Sequence, residues 1–258
     1  HLIDSLLIDL QRLNDYRKAT GTVDTTLRDT SIINNLVNLA MLHRSNPDSG
    51  QYYASLVVDW AKKIDYKKAL GIGYNVLGTA SKMQGHYPAA IDYFQKSIDI
   101  WIAKKDSMGL GATYANLGEV YRLKTDYPEA LKYFLLSLRI DEALQYEIGI
   151  AYAYNYLGAT YQELGDYTKA LENFQAALEI RLRLGLDAGI AAGYNNIGTI
   201  YADEGKFAEA LENYKASLAI KEKIDDRYGM ANTYINIGDV YHKKGNQQEA
   251  MKYFNLAL

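Results

Sequence analysis

Four kinds of residue in this chain could do chemistry, and spacing decides between them. The stretch "GIGYNVLGTAS", residues 71–81, puts Gly73 and Gly78 at the interval of a phosphate-binding loop. Thr79 and Ala80 stand where that loop needs Lys and Ser or Thr, and no strand precedes it, so packing is the better reading of the glycines. His1, His43, His86 and His242 are scattered, whereas a metal site wants histidines at i, i+4 or close in space. His86, beside Gly85, reads as a solvated turn residue. Glu163 and Asp203 occupy the same place in successive units and could form a carboxylate pair, but no nucleophile or base accompanies them. The chain has no Cys, which excludes disulfides, thiol catalysis and cysteine zinc sites. No catalytic residue, metal site or cofactor is expected, and the chain reads as not an enzyme within these residues.

Asparagine is the fourth kind. Asn75, Asn116, Asn155, Asn195, Asn196 and Asn236 recur along one stripe at helical spacing. Asn is a mediocre helix former, so repeated use inside helices asks for a reason. Its carboxamide both donates and accepts, so it can bind the main chain of an extended peptide. The competing reading is that these residues brace neighbouring helices. With Asn75 go Thr79 and Lys82; with Asn116 go Glu119 and Arg122; with Asn155 go Tyr152, Tyr156, Gln162 and Glu163; with Asn195 and Asn196 goes Thr199; with Asn236 go Asp239 and His242. If the stripe binds ligand, Asn155→Ala with Asn195→Ala weakens binding and leaves thermal stability nearly unchanged.

The elements that must position this stripe come from an internal period. Tyr74, Tyr114, Tyr154, Tyr194 and Tyr234 recur at one constant step, which defines the repeating unit. Gly78, Gly118, Gly158, Gly198 and Gly238 keep the same step, as do Ala90, Ala130, Ala170, Ala210 and Ala250, and the aromatics Phe94, Phe134, Phe174, Tyr214 and Phe254. In one unit, Tyr154, Leu157, Gly158 and Tyr161 lie on one face of a first helix. Gly165-Asp166 is a helix stop, and Ala170, Phe174, Ala177 and Leu178 form the stripe of a second helix. Pro88 and Pro128 fall at second-helix starts, where a missing N–H costs nothing. Each unit is an antiparallel helix pair whose apolar stripe is buried by stacking the next pair. The glycines imply close approach of a helix, with the Ala170 column facing them. The tyrosines supply buried area, and Ser81, which interrupts the column of Tyr121, Tyr161, Tyr201 and Tyr241, predicts looser packing.

"YLGATYQELGDYTKALENFQAAL" resembles a tetratricopeptide repeat: the large residue, the Leu-Gly pair, the Tyr, the Gly-Asp-Tyr turn, the Ala and the Phe come in that family's order. The likeness covers about residues 69–258. It implies an all-α fold, a right-handed superhelix (α-solenoid) of antiparallel helix pairs whose first helices line a concave groove for a peptide or a helix. The unit of 40 resembles the longer variety, with an extended second helix and linker. The units are expected at 69–108, 109–148, 149–188, 189–228 and 229–258, the last truncated. No Lys and Arg cluster is present to clamp a terminal carboxylate, so an internal segment or a helix of a partner is expected.

Residues 1–68 are irregular. Residues 1–17 read as a short amphipathic helix, followed by a polar turn. Leu36, Leu39, Ala40 and His43 then take the places of Tyr154, Leu157, Gly158 and Tyr161. Asn46-Pro47 opens the next helix, with Gly50 and Ala54 in the places of Ala170 and Phe174 and a shorter turn before them. This reads as a degenerate amino-terminal capping unit; the rival is a ligand pocket around Tyr52, Tyr53 and Trp60. The phrases "DTSIINNLVNLA", "NPDSGQYYA" and "AKKIDY" resemble the leading segment of bacterial repeat regions that precede sensor histidine kinases, cyclases or DNA-binding regulators. That resemblance implies a bacterial signalling context, periplasmic in preference to cytoplasmic, with a catalytic output domain beyond residue 258 as one alternative.

Bulk properties narrow the partner. Hydrophobic residues make up 48% and charged residues 23%, a globular composition. The net charge of -3 and the lack of a basic stripe argue against nucleic acid. No apolar run approaches the ~18 residues of a membrane span. A protein or peptide is the expected partner, and self-association through the region of Phe254 and Leu258 is the structural alternative. The chain starts at His1 without Met and stops at Leu258 in a helical pattern, so both ends read as boundaries of a longer protein.

Overall fold

The computed structural model describes residues 27–258; the expected amino-terminal helix and the turn after it lie outside them. All regular structure among the described residues is helical: α1 (Leu27–Leu42), α2 (Pro47–Lys63), α3 (Lys67–Met83), α4 (Tyr87–Lys104), α5 (Ser107–Leu123), α6 (Tyr127–Ala143), α7 (Glu147–Glu163), α8 (Tyr167–Arg183), α9 (Asp187–Asp203), α10 (Phe207–Lys223), α11 (Arg227–Lys243) and α12 (Gln247–Leu256). The chain forms two compact units, one up to Asp126 and one from Tyr127 to Leu258. In each, every helix packs on the one before it in sequence, as short connections require of antiparallel neighbours.

One turn is used at every connection from α2 onward, and it recurs twice in every repeat. Residues 65, 85, 105, 125, 145, 165, 185, 205, 225 and 245 all have φ between 53° and 77°. Around Gly165, the Gly165 N–H donates to Gln162 O at 2.9 Å and the Asp166 N–H to Tyr161 O at 2.9 Å. These are the two bonds of a Schellman ending, with the left-handed residue at C′. Asp166 then caps α8, its Oδ1 accepting from Lys169 N at 3.1 Å. The residue that closes one helix therefore opens the next. The connection within a helix pair is the same as that between pairs. α7 and α8 have 17 residues each, so the second helix is no longer than the first.

The connection of α1 to α2 departs from this pattern. Asn46 is in an extended conformation, its Oδ1 accepts from Ser49 N at 3.0 Å, and Pro47 stands in the first helical turn. Gly50 and Ala54 are buried, and a Cβ on Gly50 would lie 3.2 Å from His43 O. Small residues here let the α1–α2 turn close on the helix. Tyr52 is exposed, Trp60 is buried and Lys63 Nζ lies 5.3 Å from its ring.

The core alternates small and large residues. Within the second unit, Ala170, Phe174, Leu178, Ile190, Ile197 and Ile200 form one cluster, and Ala210, Tyr214, Leu218, Ile237 and Val240 another. The glycine column meets the aromatic column first, and at Gly198 the alanine column as well, where Ala210 O would lie 3.2 Å from an added Cβ. A Cβ on Gly158 would lie 2.8 Å from the Phe174 ring, and one on Gly198 would lie 2.9 Å from the Tyr214 ring. Burying each ring contributes roughly 1.5–3 kcal/mol. In contrast to the sequence expectation, Tyr154 and Tyr161 are only half-buried. Their rings line the pair's edge, where Lys169 Nζ lies 5.2 Å from Tyr161. Tyr253 meets both Tyr234 and Tyr241, with centroids at 6.2 and 5.5 Å. The equivalent Tyr93 stacks on Tyr74 at 6.2 Å, while Ser81 is buried in place of a second ring.

Candidate functional site

The glycine-rich stretch 71–81 lies wholly inside α3. A Cβ on Gly71, Gly73 or Gly78 would lie 2.6–2.8 Å from Trp101, Val58 or Phe94, so packing occupies the space a phosphate would need. His43 sits in the α1–α2 connection with its ring 5.4 Å from Tyr53, His86 is exposed in a turn, and His242 Nδ1 is 3.1 Å from Gln247 Oε1. Among the described residues, no group of three or more His, Asp or Glu side chains is gathered as metal ligands. Asp203 accepts from Gln162 Nε2 at 3.1 Å, and Glu163 is exposed.

Within each compact unit the asparagines form a ladder between successive first helices. In the first unit, Asn75 Nδ2 donates to Thr113 Oγ1 at 2.8 Å, and Asn116 Nδ2 donates to Asn75 Oδ1 at 3.1 Å. Thr79 Oγ1 donates to Asn75 O, and Lys82 pairs with the Glu119 carboxylate, at side-chain exposures of 12% and 23%. Arg122 is half-buried near the end of α5. In the second unit, Asn196 Nδ2 and Arg181 Nη1 both donate to Asn155 Oδ1 at 3.2 Å. Asn236 Nδ2 and Thr233 Oγ1 both donate to Asn195 Oδ1 at 3.2 Å. Thr199 Oγ1 donates to Asn195 O at 3.0 Å and takes a bond from Tyr214 Oη at 3.2 Å. Tyr156 stacks on Phe134 at 5.0 Å. Carboxamides thus bolt these first helices together, and the oxygens of Asn75, Asn155 and Asn195 are committed before any ligand arrives. Tyr152, 56% exposed, Asn232, Ile235, Asp239 and His242 remain uncovered on the stripe.

Three residues that the sequence reading passed over stand at one position of successive second helices: Asp141, Arg181 and Lys221, 8%, 6% and 7% exposed. Their signal was legible, because Arg181 falls in phase with Ala170, Phe174, Ala177 and Leu178 on a stripe that should be apolar. Arg181 Nη1 also lies 3.3 Å from Gly189 O. Lys221 Nζ donates to Gly229 O at 3.1 Å and to Thr233 Oγ1 at 2.7 Å. Desolvation pushes the Arg181 and Lys221 pKa values down, against weaker attraction from Tyr152 and Asp226 respectively. Desolvation pushes the Asp141 carboxyl up, against the Ser137 hydroxyl 3.5 Å away. The folded state therefore holds the Asp141 proton more tightly than the unfolded chain, so its ionisation costs stability as pH rises through that raised value. Asp141→Asn is expected to raise the urea midpoint at pH 7, with a smaller gain at pH 3.5, where the wild-type carboxyl is already largely protonated in both states. An equal gain at both pH values would assign the effect to packing instead of charge.

The described helices, the recurring turn and the glycine–aromatic contacts define a helix-pair repeat protein. The sequence profile of the tetratricopeptide repeat matches residues 70–143, 149–223 and 189–258, and the chain belongs to the tetratricopeptide-repeat family. No curated protein matches it. Among solved structures, BtubC (BKLC) from P. vanneervenii is similar at 24% identity and a TM-score of 0.71, over 82% of this chain and 89% of that one. The apo form of RapI is similar at 15% identity and a TM-score of 0.73, over 100% and 90%. The Signal Transduction ATPase with Numerous Domains (STAND) protein with a tetratricopeptide repeat sensor from Pyrococcus horikoshii is similar at 18% identity and a TM-score of 0.71, over 99% of this chain and 40% of that one. At these identities the likeness is one of fold.

Proposed function

We propose that the chain is a non-catalytic scaffold that binds a protein or peptide along its first helices, as the sensory or docking part of a longer bacterial signalling protein. The observation that carries this reading is the division of labour on the stripe. The ladder amides are spent on neighbouring helices, while Tyr152, Asn232, Ile235, Asp239 and His242 stay uncovered beside them. A face held rigid by its own hydrogen bonds and lined with an aromatic, an aliphatic and mixed polar groups suits an adaptable peptide contact. The resemblance of residues 20–70 to sensor-protein leading segments supports the signalling role and a periplasmic location. A photo-crosslinking residue placed at Tyr152 or Asn232 is expected to capture a partner from the source bacterium, and one at Glu172 or Glu212 on the second helices is not. Capture from Glu172 and Glu212 alone would move the interface to the other face. Crosslinks joining only copies of this chain would favour a self-associating scaffold.

A further inference from the structure

Two turns of the first compact unit gather cations at helix ends. Lys62 and Lys63 close α2, Lys67 and Lys68 open α3, and Lys104 and Lys105 close α4. All six are exposed. One buried ring brings the two turns to a single edge: a Cβ on Gly71 of α3 or on Gly109 of α5 would lie 2.6 Å from Trp101 of α4. Gly71 follows Lys68 by about one turn of helix, and Trp101 precedes Lys104 by about one. Among the described residues Lys67 alone of the six has an ion pair, with Asp65 at 2.5 Å. Lys62 Nζ lies 5.7 Å from the Tyr74 ring and Lys63 Nζ 5.3 Å from the Trp60 ring, contacts that leave the charge uncancelled. Asp106, the other acid at these turns, caps α5, its Oδ1 accepting from Gly109 N at 3.0 Å.

The second unit balances the equivalent helix ends. There Arg183 pairs with Glu147 at 2.6 Å and Lys223 with Asp187 at 2.9 Å, each joining the end of a second helix to the start of the first helix of its own pair. In the first unit the acid's places hold Lys67 and Ser107, and the cation's places hold Lys63 and Ala103. The device that neutralises these ends is missing, and a lysine stands where an acid would. The whole unit shares the bias. Residues 27–126 hold twelve Lys and Arg against nine Asp and Glu, whereas residues 127–258 hold thirteen against eighteen. Half of the first unit's cations therefore stand on one edge, where like charges repel one another.

We propose that this edge of the first unit lies on a membrane surface and binds the headgroups of anionic phospholipids. A compact cluster of lysines is what an anionic leaflet attracts. Ile102 and Met108, 56% and 60% exposed, stand among them. They can enter the headgroup boundary while the lysine stems carry their ammonium groups to the phosphates. A protein is a poorer fit, since protein interfaces are depleted of Lys. A nucleic acid is a poorer fit too. None of the six cations is Arg, whose planar fork grips phosphate with two bonds. Bases would need an open ring to stack on, and Tyr66, the ring at these turns, is half-buried and donates to Asn34 Oδ1 at 3.1 Å. The edge is made of helix ends, whereas the asparagine stripe runs along helix sides, so the proposal is independent of the peptide-binding reading.

Flotation of the whole chain with lipid vesicles is the test. At low salt the wild type is expected to float with vesicles of two parts phosphatidylcholine to one part phosphatidylglycerol, and to stay behind with phosphatidylcholine alone. The variant Lys62→Gln/Lys63→Gln/Lys68→Gln/Lys104→Gln/Lys105→Gln is expected to partition at least tenfold less, because each lysine near an anionic surface adds to the attraction. The control Lys206→Gln/Lys215→Gln/Lys243→Gln/Lys244→Gln/Lys252→Gln removes the same charge from the second unit and is expected to stay within twofold of wild type. High salt is expected to release the wild type from the vesicles, a readout that needs no variant. No flotation by the wild type, equal flotation with phosphatidylcholine alone, retention at high salt, or equal loss in the control would each overturn the proposal. A short DNA duplex that binds the wild type more tightly than the vesicles do, and is lost from the first variant, would overturn it in favour of nucleic acid.

Discussion

Gly158→Leu is expected to destabilise the protein by about 3 kcal/mol, at the upper end of what overpacking a close-packed core costs. The first carbon alone would lie 2.8 Å from the Phe174 ring, closer than carbon atoms approach without something moving. The ring cannot retreat, being 1% exposed within a cluster that includes Ala170, Leu178, Ile197 and Ile200. A Gly in a helix interior costs ~1 kcal/mol against Ala, and the column keeps that cost in repeat after repeat, so close approach of the two helices returns more than propensity loses. Urea unfolding followed by circular dichroism reads the loss. Adding Phe174→Ala to Gly158→Leu conserves volume and is expected to restore part of the midpoint. No restoration would mean that the ring is not the obstacle.

The double variant Asn155→Ala/Asn195→Ala is expected to lose about 3 kcal/mol, from two sites that each orphan part-buried donors at about 1–3 kcal/mol. Asn155 Oδ1 is the acceptor for a guanidinium and an amide, and Asn195 Oδ1 for a hydroxyl and an amide. This reverses the expectation from sequence that stability stays nearly unchanged. A urea midpoint equal to wild type would return these residues to a purely ligand-facing role. A binding assay on these variants would mix unfolding with contact loss, which is why the exposed Tyr152 and Asn232 are the cleaner probes.

The helix pairs were legible because period, glycine and aromatic all point the same way: Gly158 and Phe174 occur in phase and touch. The turns were legible only where glycine marks them. Lys105, Thr125 and Gln145 adopt the same left-handed conformation, with φ of 56°, 59° and 53°, although side chains disfavour it. There the hydrogen bonds of two flanking helices fix the backbone, and no local residue announces it. The stripe of Asn155, Asn195 and Asn196 was found, but its partners were not. The bond crosses to the next first helix from Asn155 to Asn196 and from Asn195 to Asn236. Each step is one position longer than the repeat, and a search in strict register compares residues that do not meet. Half-burial of Tyr154 and Tyr161 was missed because periodicity gives a residue's direction and not its depth.

The shared residue at each turn has a consequence for how such a chain can change length. Asp166 ends α7 and starts α8, and its counterparts do the same at the other turns of the series, so no junction has slack to absorb an odd insertion. Removing one whole repeat, such as 149–188, rejoins like with like and shortens the array by one tread. Removing half a repeat would leave every turn chemically intact yet exchange the parts played by all later helices: rings would face rings, glycines would face glycines, and the amide rungs would point at nothing. The protein is thus a ruler with two alternating graduations, and only whole repeats can be added or struck from it without rewriting everything downstream.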